Sequence, residues 1–409
     1  MALFIYTART KDGKIETGSL DMRDQDAALV TLQEKGLLVT SIISATPDKL
    51  VTKFNVKRKR YHYHVTLDDL VILARQMATL LDAGVPLLRC LAVVSNQLES
   101  HALERALALV RKDVEGGKAL SESLKKYPRI FSPFWVNLVE TGEASGQLPF
   151  VFDQIAKYME EAGALQRKII SALIYPLILT FVAVGVITIF MVKIIPIFER
   201  IFSEFQVELP LLTRMIIGVS LFVRRNILIE LLVIIGLVLG IRSMIKTERG
   251  RWLIDTWKLK VPVFGKLFEM VAVERFASAF SVMIKSGVPI LYALEIVAKA
   301  ADNRVIESAL NKVKNAVRAG QSMSKPMAET GAFPPIVIEM IEVGEEAGEL
   351  ANMLARLGVF YKERIDTFVN RFASVFEPVV LVGMGIIVGV IVVSMFLPIF
   401  GISSAVKMQ

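Results

Sequence analysis

Two acids three residues apart occur twice in this chain, Glu140 with Glu143 and Glu342 with Glu345, the second pair 202 positions after the first. Paired carboxylates serve general acid–base chemistry or hold a hard cation such as calcium. A catalytic pair needs a His or Lys partner, and duplication at identical spacing without one argues against catalysis. Each pair brackets a glycine, Gly142 or Gly344, and a second glycine follows four residues on, Gly146 or Gly348. Glycines so placed close one helix and permit a tight crossing before the next. The carboxylates are then expected to accept from the free N–H groups of the next helix, or to contact the other copy.

Other chemistry is harder to build. A phosphate-cradling loop needs Gly-x-x-x-x-Gly-Lys-Ser/Thr. Gly265-Lys266 is followed by Leu267 and Gly117-Lys118 by Ala119, and Lys260 and Lys112 stand where the first glycine should. ATP must be hydrolysed by another protein. Only three histidines occur; His62 and His64 lack a third metal ligand nearby, and no Gly-x-Ser-x-Gly elbow is present. Glu230 is the one candidate carboxylate within an apolar span, one turn inside its end. An ionisable group there marks a proton or substrate path, unless it snorkels outward or pairs with Arg225. No enzyme activity, cofactor or nucleic-acid partner is expected.

The elements that carry the acids are themselves duplicated. Gly84-Val85-Pro86 returns as Gly287-Val288-Pro289, Gly117 as Gly320, and Phe131 with Pro133 as Phe333 with Pro335. Apolar spacing predicts six helices in the first copy, about 67–81, 86–97, 102–115, 120–126, 133–141 and 148–165. Gly84 and Gly287 end a helix, and Pro86 and Pro289 suit the first turn of the next. Each copy reaches a proline, Pro176 or Pro378, and runs into uncharged sequence.

Of 409 residues, 54% are hydrophobic and 22% charged, with a mean hydropathy of +0.53. That combination implies large water-exposed modules plus a few spans. Residues 169–192 and 379–399 are uncharged and long enough for the roughly 30 Å hydrocarbon core. A third span over 226–245 requires Glu230 at one interface and Arg242 at the other, and keeps both modules on one side. Gly236-x-x-x-Gly240 and Gly385-x-x-x-Gly389 put small residues on one helix face, suiting close packing between spans or between copies. Twelve Lys and Arg flank the module side of the spans, against six on the other, so the modules and N-terminus are expected in the cytoplasm. The net charge of +8 matches that bias. No cleaved signal peptide is expected, and Cys90, the single cysteine, can form no intrachain disulfide. Residues 1–45 read as a small ββαβ unit with a hairpin at Asp12-Gly13, Asp24 capping a helix and Gly36 ending it. The run Lys57-Arg58-Lys59-Arg60 reads as a solvated linker.

Taken together, Arg75-Gln76-Met77-Ala78-Thr79-Leu80-Leu81-Asp82-Ala83-Gly84-Val85-Pro86-Leu87, Gly142-Glu143-Ala144-Ser145-Gly146-Gln147-Leu148, Ala172-Leu173-Ile174-Tyr175-Pro176, Lys193-Ile194-Ile195-Pro196-Ile197-Phe198-Glu199 and Glu208-Leu209-Pro210-Leu211-Leu212-Thr213 resemble the type II secretion F protein and type IV pilus inner-membrane platform family (GspF/PilC). The likeness covers essentially the whole chain. It implies a bacterial inner-membrane platform that docks a cytoplasmic hexameric ATPase and handles pilin or pseudopilin subunits beside other machine components, as a homo-oligomer. Some relatives hold calcium through the Glu matched by Glu143 and an acid just after the Gly-x-Pro turn. Here that place falls at Leu88-Arg89, and Leu291-Tyr292 in the second copy, neither acidic.

The expected architecture is mainly α: a small N-terminal α+β domain (1–46), a basic linker (47–65), a cytoplasmic helical module (66–168), a first transmembrane helix (169–195), a periplasmic loop (196–225), a second transmembrane helix (226–245), a second module (246–376), a third transmembrane helix (377–400) and a short periplasmic tail (401–409). A channel or transporter of oligomerised spans, with Glu230 lining the pathway, is the alternative.

Overall fold

The computed structural model describes residues 2–9, 15–22, 24–34, 38–45, 62–204 and 209–406. The hairpin turn at Asp12-Gly13, the helix stop at Gly36, the basic linker run and Lys407 lie outside the described residues, as does the side chain of Glu230. The chain divides into residues 1–62 and 63–409.

In the first unit, β1 (Ala2–Arg9) pairs antiparallel with β2 (Ile15–Met22) and with β3 (Leu38–Ala45), giving the order β2-β1-β3. Phe4 stands opposite Leu20 and Ser44. Helix α1 (Gln25–Glu34) buries Ala28 and Leu32, one turn apart.

The second unit is helical. Its first module comprises α2 (Leu67–Asp82), α3 (Leu87–Ser95), α4 (His101–Glu115), α5 (Leu120–Lys125), α6 (Pro133–Ser145) and the start of α7 (Leu148–Ile189). Thr66 opens α2 with a capping box on Asp69. At its end Gly84 adopts φ +77°, so the Val85 amide reaches the Leu80 carbonyl at 3.0 Å and the Gly84 amide reaches Leu81 at 3.0 Å. That pair of bonds satisfies carbonyls the helix would leave open. Gly287, at φ +83°, repeats both bonds on Met283 and Ile284.

The second module repeats the first as α11 (Phe264–Lys285), α12 (Ile290–Ala300), α13 (Arg304–Arg318), α14 (Ser324–Thr330), α15 (Pro335–Glu346) and the start of α16 (Leu350–Val406). Helix α2 lies along α7, and α11 along α16. Both modules share one continuous apolar core, in which Phe131, Phe276 and Phe280 are fully enclosed.

Between the modules run α8 (Ile195–Glu204), α9 (Leu211–Ile245) and α10 (Glu248–Lys260). The stretch 196–225, read from sequence as a loop, is therefore largely helical. Its apolar residues pack, with Ile195, Phe202 and Ile217 buried against Ile391 and Met395 of α16. Two helical stretches, 148–204 and 350–399, are long and apolar enough to cross a membrane. Helix α7 continues through Pro176 and α16 through Pro378, so each module and its apolar stretch form one uninterrupted rod. At 1.5 Å per residue, the 42 residues of α7 extend about 63 Å.

Candidate functional site

The four duplicated acids divide into two kinds. Glu143 accepts from the Leu120 amide at 2.5 Å, the Ser121 amide at 2.9 Å and the Ser121 hydroxyl at 2.5 Å. Glu345 accepts from the Met323 amide at 2.8 Å and the Ser324 amide at 3.3 Å. Both carboxylates cap a helix, but it is the short helix preceding their own, α5 or α14, and not the next one. The reason is local. Ala119 and Met323, which stand at those helix starts, make no side-chain cap, so the exposed donors take the nearest acceptor across the turn. Glu140 and Glu342 are exposed, with no hydrogen bond or ion pair to a described residue.

The glycines also divide. Gly146 (φ +71°) and Gly348 (φ +68°) occupy the left-handed region where helices stop. Gly142 and Gly344 do not close a helix; they lie inside α6 and α15. A Cβ on Gly142 would meet Val151 Cγ2 at 3.0 Å, and on Gly344 it would meet Leu350 Cα at 3.1 Å. Those positions hold the crossing with α7 or α16 close.

Sequence reasoning missed the contacts that tie the modules to the rods. Arg75 on α2 donates to Glu160 (2.6 Å) and Asp153 (2.8 Å) of α7. The hydrogen bond to Glu160 and both negative charges push its already high pKa further up. In the second copy Ser278 stands at that place and Gly358 faces it: a Cβ on Gly358 would lie 2.6 Å from the Ser278 hydroxyl. One module holds its rod by ion pairs, the other by close approach. Glu274 is buried where α11 meets α7, and burial pushes its carboxyl up from the ordinary 4.5, against the smaller pull of the Ser278 hydroxyl, Arg275 and Lys362. Burial, with the Glu274 charge adding to it, pushes the neighbouring Tyr158 phenol up to about 12. The Cys90 thiol is raised by burial as well, which makes it an unreactive core residue.

Prolines in the rods leave carbonyls without donors, and α9 supplies them. Pro398 has no N–H for the Ser394 carbonyl; Thr213 Oγ1 donates to it at 2.6 Å. At residues 190–194 the helix widens by one residue, and the Ile195 amide bonds Phe190. The Met191 carbonyl is then left facing Pro196, and the Ser220 hydroxyl donates to it. Thr213 and Ser220 are seven residues apart and share a face of α9. Pro176 is buried and its carbonyl accepts from Thr180 at 2.8 Å. Gly236, Gly240, Gly385 and Gly389 have open space where a Cβ would be, so no described residue lies against those positions. Among the described residues no three His, Cys, Asp or Glu stand close enough to hold a metal ion, and the Glu143 carboxylate is directed at α5.

This duplicated module with its paired turns matches a known sequence family. A profile described as type II secretion system (T2SS), protein F, matches residues 73–196 and again 276–398, and one for the N-terminal domain of the same protein matches 1–43. The chain belongs to the type II secretion system protein F family. Relatives extend along its whole length. A type IV pilus assembly protein PilC from Thermus thermophilus is 37% identical, covering 100% of both chains. A PilC from Myxococcus xanthus is 33% identical over 99% of this chain and 96% of the relative. A type II secretion system protein F from Pseudomonas aeruginosa is 32% identical over 99% and 100%.

Proposed function

We propose that this chain is the inner-membrane platform of a type IV pilus or type II secretion machine, and that it couples a cytoplasmic hexameric ATPase to the polymerisation or retraction of pilin or pseudopilin subunits. The carrying observation is that each of two duplicated modules is continuous, through α7 or α16, with an apolar rod long enough to enter the bilayer. A rod without a break transmits a rotation or displacement of its module to the membrane, so no catalytic centre is required in this chain.

In this reading α9 is a third span, with Glu230 and Arg242 near opposite interfaces. Both modules, the N-terminal unit and the linker face the cytoplasm, in accord with the Lys and Arg bias. Glu140 and Glu342, exposed at equivalent places on the two modules, offer a repeated acidic contact to a motor that itself repeats. The open glycine faces of α9 and α16 offer close approach to another apolar helix, such as that of a pilin subunit.

The test is capture of the full-length protein, in mild detergent, with each candidate assembly ATPase of its host, in the presence of ATP, ADP or no nucleotide. Stoichiometric capture that Glu140→Lys with Glu342→Lys abolishes supports the reading. Absence of capture under every nucleotide condition contradicts the coupling.

A further inference from the structure

Two of the chain's three tryptophans stand on one surface strip. Trp135 is enclosed in the core, but Trp252 and Trp257, on α10, are 52% and 69% exposed. Arg249, Leu253 and Lys260 share their face of the helix and are exposed as well. The opposite face is committed to the chain itself. Asp255 is buried there and accepts from the Lys258 ammonium at 3.0 Å and the Arg304 amide at 3.1 Å.

The strip continues into a strained turn. Val263 has φ +71° and ψ −59°, and the Phe264 amide donates to the Pro262 carbonyl at 2.9 Å. This is the rarer, strained form of the three-residue turn, and a β-branched residue resists it. The turn brings α11 so close to α10 that a Cβ on Gly265 would lie 2.3 Å from the Leu259 carbonyl. Its tip, Val261, Pro262 and Val263, is exposed, Val263 by 58%. Strain is thus spent on holding an apolar point away from the rest of the chain, which is worthwhile where something else buries it.

Three contacts set the level of this segment against the apolar helices. Two residues separate α9 from α10, and a Cβ on Gly250 would lie 2.2 Å from the Met244 carbonyl, so the first turn of α10 is held against the last turn of α9. Every residue over 235–241 of α9 is uncharged and exposed, whereas a helix apolar all round is normally buried in a core or a membrane. Lys258 and Phe268 line one cavity with Ile169 and Ile170, the first residues of the uncharged stretch of α7. Phe264 meets Phe372 of α16 edge-on, with ring centres 5.1 Å apart, and about 10 Å of helix separates Phe372 from the start of the uncharged stretch at Val379. The segment therefore meets α9, α7 and α16 at or beside the ends of their apolar stretches.

The charges point to what lies against it. Lys246, Arg249, Lys260 and Lys266 are exposed and have no ion pair with a described residue, and Glu248 is the one exposed carboxylate over 246–266. Tryptophans beside long cations suit the headgroup layer, where an indole is half wetted and an ammonium or guanidinium meets phosphate.

We propose that α10 and the 261–263 turn seat on an anionic lipid surface, with Trp252, Leu253, Trp257 and Val263 entering the acyl boundary and Lys246, Arg249, Lys260 and Lys266 on lipid phosphates. The proposal rests on the reading of α9 as a span, and adds to it a lipid-selective contact that anchors the second module to the leaflet surface.

The tryptophans themselves report the contact. The full-length protein is reconstituted in equimolar phosphatidylcholine and phosphatidylglycerol vesicles, with acyl-chain bromine near the headgroup of one lipid or the other to quench indole fluorescence. Trp252→Phe with Trp257→Phe, both surface changes, leaves Trp135 as the baseline. The expected result is loss of most of the emission above that baseline, greater with brominated phosphatidylglycerol than with brominated phosphatidylcholine. Lys246→Gln, Arg249→Gln, Lys260→Gln and Lys266→Gln together should remove the difference. Emission that neither brominated lipid quenches but aqueous iodide does would overturn the proposal. Equal quenching by the two lipids, or a preference unchanged in the four-Gln variant, would overturn the anionic contact. Shielding of the two tryptophans from iodide only when a captured ATPase is added would place a protein on the strip and overturn it too. Val382→Trp in the two-Phe chain, at an exposed position of α16, separates the cases: quenching there without quenching at Trp252 and Trp257 leaves the membrane reading standing and sinks this proposal, and no quenching at either place sinks both.

Discussion

Removing the Glu143 carboxylate should open one small helix and leave its duplicate untouched. In Glu143→Ala the Leu120 and Ser121 amides lose a charged acceptor at 2.5 and 2.9 Å, and the Ser121 hydroxyl loses its partner. Hydrogen bonds to a charged group contribute about 1.5–3 kcal/mol each, and an ordinary helix cap about 1 kcal/mol. The site is only partly buried and water replaces part of what is lost, so about 2–4 kcal/mol is expected for the local opening of α5. At 1.4 kcal/mol per factor of ten, amide exchange at residues 120–125 should accelerate about 30- to 700-fold. The assay is hydrogen–deuterium exchange with peptide mass spectrometry on the full-length protein in detergent. Residues 323–330 should keep their wild-type rates, and Glu345→Ala should give the converse pattern. Unchanged exchange over 120–125 in Glu143→Ala would refute the capping argument. Equal acceleration of both helices would refute its locality.

Four further outcomes follow from the same geometry. Glu274 has a carboxyl pKa raised on folding, so its share of stability is intact below the ordinary value of 4.5 and falls as pH rises through the raised folded value; Glu274→Gln should flatten that slope in melting curves taken from pH 4 upward, and an unchanged slope would contradict the assignment. Thr213→Val with Ser220→Ala exposes two proline-orphaned carbonyls, and at about 0.6–1.7 kcal/mol each should lower the melting temperature by several degrees; no shift would show that these carbonyls find other donors. Gly344→Leu should disrupt the α15–α16 crossing, where even a Cβ meets Leu350 Cα at 3.1 Å, and should appear as increased proteolysis of the second module. Arg75→Ala removes partly exposed pairs with Asp153 and Glu160; screening holds the loss to about 1–2 kcal/mol, seen as faster exchange in α2.

Much of the architecture is legible in the sequence because it rests on local signals. Gly84 and Gly287 announce a helix stop through a backbone angle only glycine adopts readily, and Pro86 and Pro289 start the next helix. The repeat made each such reading checkable against its duplicate. Gly142 and Gly344 misled because a glycine needed for close approach looks in sequence like one needed for a turn. The caps by Glu143 and Glu345 reach back 22 residues or so, and no local motif records that distance. Thr213 and Ser220 carry no periodic mark, although Pro398 and Pro196 did signal that a carbonyl upstream of each would need a donor. The helix over 195–204 was hidden by Pro196, which reads as a breaker until the widened turn before it accommodates the lost bond.

The most direct measurement of the central claim is filament or exoprotein output from a host lacking this chain and complemented with full-length variants in its place. The wild-type chain should restore output. A variant with the rod of α7 interrupted by a short glycine insertion after Lys168, which leaves the module's helices and the apolar stretch intact, should be present in the membrane and capture the ATPase, yet restore none. Full restoration by the interrupted variant would contradict the claim that continuous helices carry motion from module to membrane.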